Sequence, residues 1–146
     1  MLPEAKMIKG EMVLREMALS SDVKLTKKSL IRWLALSLGL ISPKESRDCL
    51  LAILEVLINA HFANEQLTTK EVVERAGAEK QLDEKTVYYH LQKLANSGLI
   101  TRSKGGYYFG DGVERDLGRI IKNIYNQKFE NAFKNIDEAL ESLKQK

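Results

Sequence analysis

Lysine, arginine, tyrosine and glutamine residues recur between positions 85 and 104, and these residue types contact phosphates and base edges in nucleic acids. The segment "DEKTVYYHLQKLANSG" predicts a helix that Asp83 caps and Gly98 ends. When Val87, Leu91 and Leu94 face the core, a rotation of about 100° per residue places a polar, acid-free face opposite them. The members of this face are Lys85, Tyr89, Gln92 and Asn96, with Thr86 and Lys93 at its edge.

The side chains of this face suit different contacts. Lys85 and Lys93 can neutralise phosphates or donate to guanine. Hydroxyl and amide groups that can bond to bases or to the backbone belong to Thr86, Tyr89 and Gln92. Glu84 opposes this chemistry, because a carboxylate beside phosphates repels them unless it accepts from cytosine. His90, at the flank of the apolar stripe, is interpreted as a packing residue, with a base contact as the alternative.

A second basic cluster follows the predicted helix. The β-prone runs "LITRSK" and "YYFG" flank Gly105 and Gly106, a pair that can take positive φ and so predicts a tight hairpin. The hairpin sets Arg102 and Lys104 near its tip, where both can contact phosphates. Along the second strand, alternation between core and surface is the favoured reading of the three aromatic residues, and base stacking is the alternative. These residues are Tyr107, Tyr108 and Phe109.

Charge and composition bound the possible functions. The chain has 146 residues and a net charge of only +3, but residues 81–110 carry four basic and two acidic side chains after an acidic stretch at 48–80. The most apolar run, residues 30–41, contains Arg32 and is shorter than the roughly 20 residues that span a bilayer, so it predicts a buried helix. The first residues have no apolar signal core, and we expect a cytoplasmic protein without membrane contact.

Catalytic and metal-binding patterns are not evident in the sequence. Cys49 is the only cysteine, and His61 and His90 are the only histidines, so neither a disulfide nor a Cys/His metal site is predicted. There is no glycine loop that would cradle phosphates and no Ser/His/Asp or Cys/His set. We therefore expect no cofactor, no metal and no enzymatic activity.

Three helices are predicted before the central segment. Residues 1–20 have apolar residues at helical spacing and predict an amphipathic helix. Thr26 is a candidate cap for the next helix, which contains Trp33 and ends near Gly39. The sequence "SPKE" resembles a capping box with proline at the first helical position, and predicts a helix from Pro43 to about Phe62.

Capping patterns delimit the later elements. Thr68 and Glu71 form a predicted capping box after a short extended piece at Leu67, and Gly77 is a candidate left-handed C-cap. Asp111 and Glu114 form another, which predicts the start of a long helix. Its apolar residues recur every three or four positions, with one phase slip near Gln127. So long a striped helix predicts a partner, which is a second copy of the chain, the N-terminal helix, or both.

The order helix, short strand, helix, turn, helix and hairpin resembles a winged helix-turn-helix. "TTKEVVERAG" looks like the second helix of that family, and "LDEKTVYYHLQKLANSGLI" is similar to the recognition helix of ArsR-like and related bacterial and archaeal regulators. The resemblance covers roughly residues 47–110. It departs from the family at residues 78–81, about four residues more than the usual tight turn, which puts the fit of the recognition helix to a groove in question.

Together, the resemblance and the predicted terminal helices indicate a mainly α, α+β fold with three regions: an N-terminal helical extension (1–41), a winged helix-turn-helix (42–111) and a C-terminal dimerisation helix (112–146). The resemblance implies a transcriptional regulator that binds double-stranded DNA, with the recognition helix in the major groove and the hairpin on flanking backbone. The striped terminal helices add the expectation of a homodimer. The alternative is a winged helix that serves as a protein-interaction module in a transcription, replication or chromatin assembly. The residues identify no small-molecule effector.

Overall fold

The computed structural model describes residues 1–45, 48–77 and 82–146, and the chain forms a mainly helical α+β protein. It divides into two compact units, Met1–Leu51 and Ala52–Lys146. The helices are α1 (Lys27–Ser37), α2 (Asp48–Phe62), α3 (Thr69–Ala76), α4 (Glu84–Asn96) and α5 (Leu117–Lys144). The strands are β1 (Leu67–Thr68), β2 (Ile100–Ser103) and β3 (Gly106–Phe109), and short 3-10 turns span Pro3–Met7 and Val23–Leu25.

The predicted amphipathic helix over residues 1–20 is wrong. Only Pro3–Met7 is helical, as a 3-10 turn, and residues 8–20 have no regular secondary structure. The reason is that this segment bonds to the end of α1, whose last carbonyls lack partners within the helix. The Arg15 guanidinium donates through Nη1 to Leu36 O at 2.6 Å and to Ile41 O at 3.0 Å, and Trp33 Nε1 donates to Ala18 O at 2.8 Å.

The predicted cap of α1 is confirmed, whereas the predicted start of the next helix is wrong. The Thr26 hydroxyl accepts from Ser29 N at 3.1 Å, and α1 ends two residues before Gly39. Residues 43 and 44 form a turn instead of a first helical turn, with Glu45 N donating to Ser42 O at 3.1 Å. The φ of proline suits the second position of a turn as well as the start of a helix, and here the turn prevails.

In the part of the second unit from Thr68 to Gly98, three predicted caps are confirmed and one is wrong. Thr68 and Glu71 form a complete capping box at the start of α3, and the Asp83 carboxylate accepts from Thr86 N at 2.7 Å at the start of α4. Gly98 closes α4 with φ of +87°, as expected. Gly77 has φ of −80° and continues the helical bonding through its N–H to Val73 O, so it is not a left-handed cap.

The three strands form an antiparallel sheet in the order β1-β3-β2. Ser103 pairs with Gly106, so the two turn residues are Lys104 and Gly105, with φ of +53° and +81°. The predicted hairpin is therefore confirmed, but its turn lies one residue earlier than the two glycines suggested. Tyr107 and Phe109 are buried and Tyr108 is half-buried, which confirms the predicted alternation along this strand.

The core of the second unit holds α3, α4 and the sheet together. Val87, Leu91 and Leu94 are buried on α4, as the helical periodicity predicted. They belong to a set of buried apolar residues that also includes Leu57, Leu67, Val72, Ile100 and Ile120. His90 is 9% exposed, which supports its interpretation as a packing residue. This packing leaves the opposite face of α4 to solvent.

The long C-terminal helix is confirmed, but it begins later than predicted. Asp111 Oδ1 accepts from Val113 N at 2.9 Å and Glu114 N at 3.3 Å, but these bonds close a local turn and no helix begins at it. Gly112 has φ of +86°, a left-handed conformation that is incompatible with a helical path. The helix starts at Leu117, where Asp116 Oδ2 accepts from Arg119 N at 3.0 Å.

Candidate nucleic-acid interface

The outer face of α4 carries most of the predicted contact residues. Four of them are exposed: Lys85, Tyr89, Gln92 and Lys93. The fifth, Thr86, is half-buried and its backbone N–H is the donor to the Asp83 cap. Hydrogen bonds from Thr86 hold the pKa of Asp83 below its usual value, and the nearby Lys85 charge lowers it further. The cap thus carries a negative charge at neutral pH, on the same first turn as Glu84.

A cation and an aromatic ring pair on this face. The Lys93 ammonium lies 5.1 Å from the centroid of the Tyr89 ring, within the range of a cation–π contact. The other neighbour of Tyr89 is the His90 ring, edge-on at 5.4 Å between centroids. These contacts restrict the rotamers of Tyr89 while 55% of its surface remains exposed. The phenol and the ammonium are therefore presented to solvent together.

The hairpin contacts α4 through Arg102 on β2. Its guanidinium carbon lies 5.9 Å from the centroid of Tyr88 on α4 and 5.8 Å from that of Tyr107 on β3. The hydroxyl of Tyr107 is 3.1 Å from Thr69 Oγ1, at the start of α3. Arg102 thus lies against rings from two elements, and the second ring is anchored to a third. We call the residues Thr69, Tyr88, Arg102 and Tyr107 the tyrosine–arginine cluster.

Lys104 occupies the tip of the hairpin and is exposed. Its φ of +53° is uncommon for a residue with a side chain. Across the described parts of the chain, the four basic side chains of the candidate interface form no salt bridge. They are Lys85, Lys93, Arg102 and Lys104. Their charges are therefore available to an external anion.

Sequence reasoning placed the seven candidate residues on two elements, and the structure brings those elements together through Arg102. It missed Tyr88 as the ring beneath Arg102, and also the anchoring role of Thr69. No sequence signal indicates such a pair, because the two residues of each contact lie far apart in the chain. The predicted extension at residues 78–81 lies outside the described residues.

Other kinds of site find little support in the parts of the chain that the structure describes. Within residues 1–45, 48–77 and 82–146, no three His, Cys, Asp or Glu side chains group as metal ligands would. The helices in these same ranges are all too short or too polar to cross a membrane. Comparison of the chain with models of known protein families, with curated proteins and with solved structures gave no match.

Proposed function

We propose that this protein is a transcriptional regulator of the winged helix-turn-helix type that binds double-stranded DNA. In this proposal α4 enters the major groove and the β2–β3 hairpin lies on flanking backbone. The observation that carries the proposal is the contact of Arg102 with Tyr88, because it places the basic hairpin against the helix that carries the acid-free face. The protein acts by binding in the cytoplasm, without catalysis.

Two features of the second unit support a winged helix. The order α2, β1, α3, α4, β2, β3 follows that of the family, and the hairpin comes directly after the helix assigned to recognition. The α4 face also has the composition that DNA contacts require, with ammonium, phenol and amide groups that are exposed. The acidic first turn of α4 acts against phosphate binding there, so Lys93, Arg102 and Lys104 supply most of the attraction.

The proposal includes a homodimer formed through α5. Four large apolar side chains in the second half of this helix are exposed: Phe133, Ile136, Leu140 and Leu143. They recur at helical spacing on one side, and such a stripe is stabilised when it packs against another helix. Two-fold symmetry would place two α4 helices about 34 Å apart, one turn of DNA, and so predicts a roughly palindromic site.

Titration of a generic 20-base-pair duplex, followed by fluorescence anisotropy at low and moderate salt, tests the DNA proposal. We expect the logarithm of affinity to fall linearly with the logarithm of salt concentration, with a slope of about −0.9 per phosphate contact. Arg102→Ala should weaken binding and make the slope shallower by about one contact. Lys85→Ala should act in the same direction with a smaller effect, because Lys85 lies beside the acidic first turn. Lys134→Ala, which removes an exposed charge on α5, is the matched control and should change neither. Absence of binding at low salt would exclude the proposal.

The second candidate function is protein docking by the same surface. The observation in its favour is that Tyr88 and Tyr89 are 39% and 55% exposed, and tyrosine is enriched in the centres of protein interfaces. A protein partner would depend on these rings and little on salt, whereas DNA depends strongly on salt. The titration therefore separates the two, because a docking module would not bind the duplex.

A further inference from the structure

A half-open cavity of about 290 Å³ lies within the second unit, and Tyr107 is one of the residues that line it. Its walls come from the end of α2, from the sheet and from the segment that leads into α5. Buried apolar side chains line part of it, and these include Leu57, Ala60, Ile100 and Phe109. This volume is near the lower end of the roughly 300–1,000 Å³ usual for ligand pockets, and so suits a small molecule.

The polar part of the cavity carries one positive charge that no described residue neutralises. Arg115 and Glu65 are the charged residues among its described lining. Glu65 is already paired, since its Oε2 accepts from Arg75 Nη2 at 2.6 Å. The charge of Glu65 is therefore offset from outside the cavity, and the charge of Arg115 is not, because this guanidinium forms no salt bridge with any described residue.

The guanidinium of Arg115 is held along one edge only. Nη2 donates to His61 O at 3.3 Å and also to Asn64 Oδ1. His61 in turn uses Nε2 to donate to the Arg115 carbonyl at 2.8 Å, since a carbonyl can only accept. Nη1 and Nε of Arg115 have no acceptor within the described residues. A guanidinium fixed at one edge, with donors left at the other, is suited to bind a carboxylate.

We infer that this cavity binds a small organic monocarboxylate with a flat apolar body. The carboxylate takes the remaining donors of Arg115, and the apolar body lies against Leu57, Ala60 and Phe109. A doubly charged anion fits less well, because Arg115 is the one uncompensated cation in the described lining. A neutral molecule of the same shape would leave those donors without a charged acceptor and would lose a charge-assisted bond.

The position of the cavity gives this binding a consequence for the proposed function. Tyr107 lines the cavity, contacts Arg102 and bonds to Thr69. A ligand in the cavity is thus one aromatic ring away from the tyrosine–arginine cluster, and can shift the position of Arg102. This regulatory role rests on the proposed function, whereas binding of the carboxylate does not.

The test uses the full chain and benzoate as the probe, with benzamide as its neutral counterpart. Calorimetry and backbone amide NMR spectra follow both titrations. We expect saturable benzoate binding with a dissociation constant in roughly the micromolar to low millimolar range, as suits a ligand of this size. The shifted amides should be those of the α2 end, β3 and residues 112–115. Benzamide should bind about tenfold more weakly or worse.

Two variants probe the cavity from different walls. Arg115→Gln should weaken benzoate binding about tenfold or more, because it removes the charge. Ala60→Leu adds bulk to the apolar wall and should weaken benzoate and benzamide alike, without removing a charged group. Arg119→Gln is the matched control, since Arg119 lies four residues further along, lines no part of this cavity and should leave the affinity unchanged.

Three results would each overturn the inference: no benzoate binding at millimolar concentrations, equal affinity for benzoate and benzamide, or shifts confined to residues away from the cavity. The comparison of benzoate with benzamide on the unaltered protein tests the preference for a carboxylate even if a variant fails to fold. Because none of these measurements includes DNA, failure here is distinguishable from failure of the proposed function. A duplex titration with and without benzoate then tests the regulatory role alone.

Discussion

Asp83 shows how one side chain serves both the fold and the candidate site. Its carboxylate accepts from Thr86 N at 2.7 Å, and this bond sets where α4 begins and therefore which residues face outward. The bond is made by the charged form, so the pKa of Asp83 is lower in the folded chain than in the unfolded one. Glu71 and Asp111 also have lowered pKa values because they accept backbone hydrogen bonds.

This shift predicts a stability that depends on pH. A carboxyl group with a lowered folded pKa stabilises the fold above its unfolded pKa, and the contribution is lost as pH falls through the folded value. We expect the urea midpoint to fall between about pH 5 and pH 2, because Asp83, Glu71 and Asp111 all act in this direction. Asp83→Asn should make the loss less steep, since asparagine also caps helices but does not titrate there.

Asp83→Ala is the comparison variant for this experiment. Alanine accepts no bond from Thr86, so this variant should have a lower urea midpoint than Asp83→Asn at pH 7, where the titration plays no part. An unchanged pH profile in Asp83→Asn would show that this carboxylate does not contribute to acid sensitivity.

At the scale of elements, Lys104 in the hairpin turn lowers the stability of the turn while its charge favours binding to an anion. Lys104 takes φ of +53° at the first position of a two-residue turn, where asparagine followed by glycine is the preferred pair. Lysine is strained in this conformation, whereas asparagine and glycine are tolerated. A charged residue at this point suits contact with an anion better than it suits the turn.

Lys104→Asn should therefore raise stability and lower DNA affinity. The substitution keeps the turn with Gly105, and we expect it to stabilise the protein by about 0.5 kcal/mol. Loss of the charge should weaken duplex binding and reduce the salt slope by about 0.9. Urea unfolding and anisotropy on the same preparations measure the two effects. Lys104→Arg, which keeps the charge, is the control and should retain the affinity.

The sequence predicted the start of a helix correctly where the capping residue directly precedes the helix. It did not do so where the same residue type can either cap a helix or form a tight turn. Thr26, Thr68 and Asp83 each lie next to the first turn that they cap. Pro43 and Asp111 belong to tight turns instead, because the φ of proline and the carboxylate of aspartate suit a turn as well as the start of a helix. The residues that follow determine which of the two structures forms. At Asp111 the left-handed conformation of Gly112 excludes a helix, so the turn forms.

The segment at residues 8–20 could not be predicted from its own pattern. Its apolar residues have helical spacing, yet its conformation depends on hydrogen bonds with α1, from Arg15 to the Leu36 carbonyl and from the Trp33 indole to the Ala18 carbonyl. The tyrosine–arginine cluster could not be predicted for the same reason. Tyr88 and Arg102 belong to different elements, and nothing in the sequence around either residue indicates that the two are in contact. Faces within one helix were predictable by contrast, because periodicity alone determines them.

At the scale of the whole molecule, the exposed apolar stripe of α5 predicts that two copies of the chain associate. Ile136 is half-exposed in the middle of the apolar stripe. Ile136→Lys should shift the protein to monomer in sedimentation equilibrium at micromolar concentration, because a dimer would bury that charge. Asn135→Lys places the same charge on a neighbouring exposed position outside the stripe and should remain dimeric. If the unaltered protein sediments as a monomer, the palindromic site loses its basis.

The segment that leads into α5 determines the direction of the helix axis. Gly110 and Gly112 both have positive φ, and a Cβ at Gly110 would come within 2.8 Å of Ile120 on α5 itself. At about 1.5 Å per residue the 28 residues of α5 form a rod about 42 Å long. A tilt of only about 10° at its first turn would displace the far end by about 7 Å. If the protein forms the proposed dimer through that end and binds DNA, the backbone angles at these two glycines would set the distance between the two α4 helices.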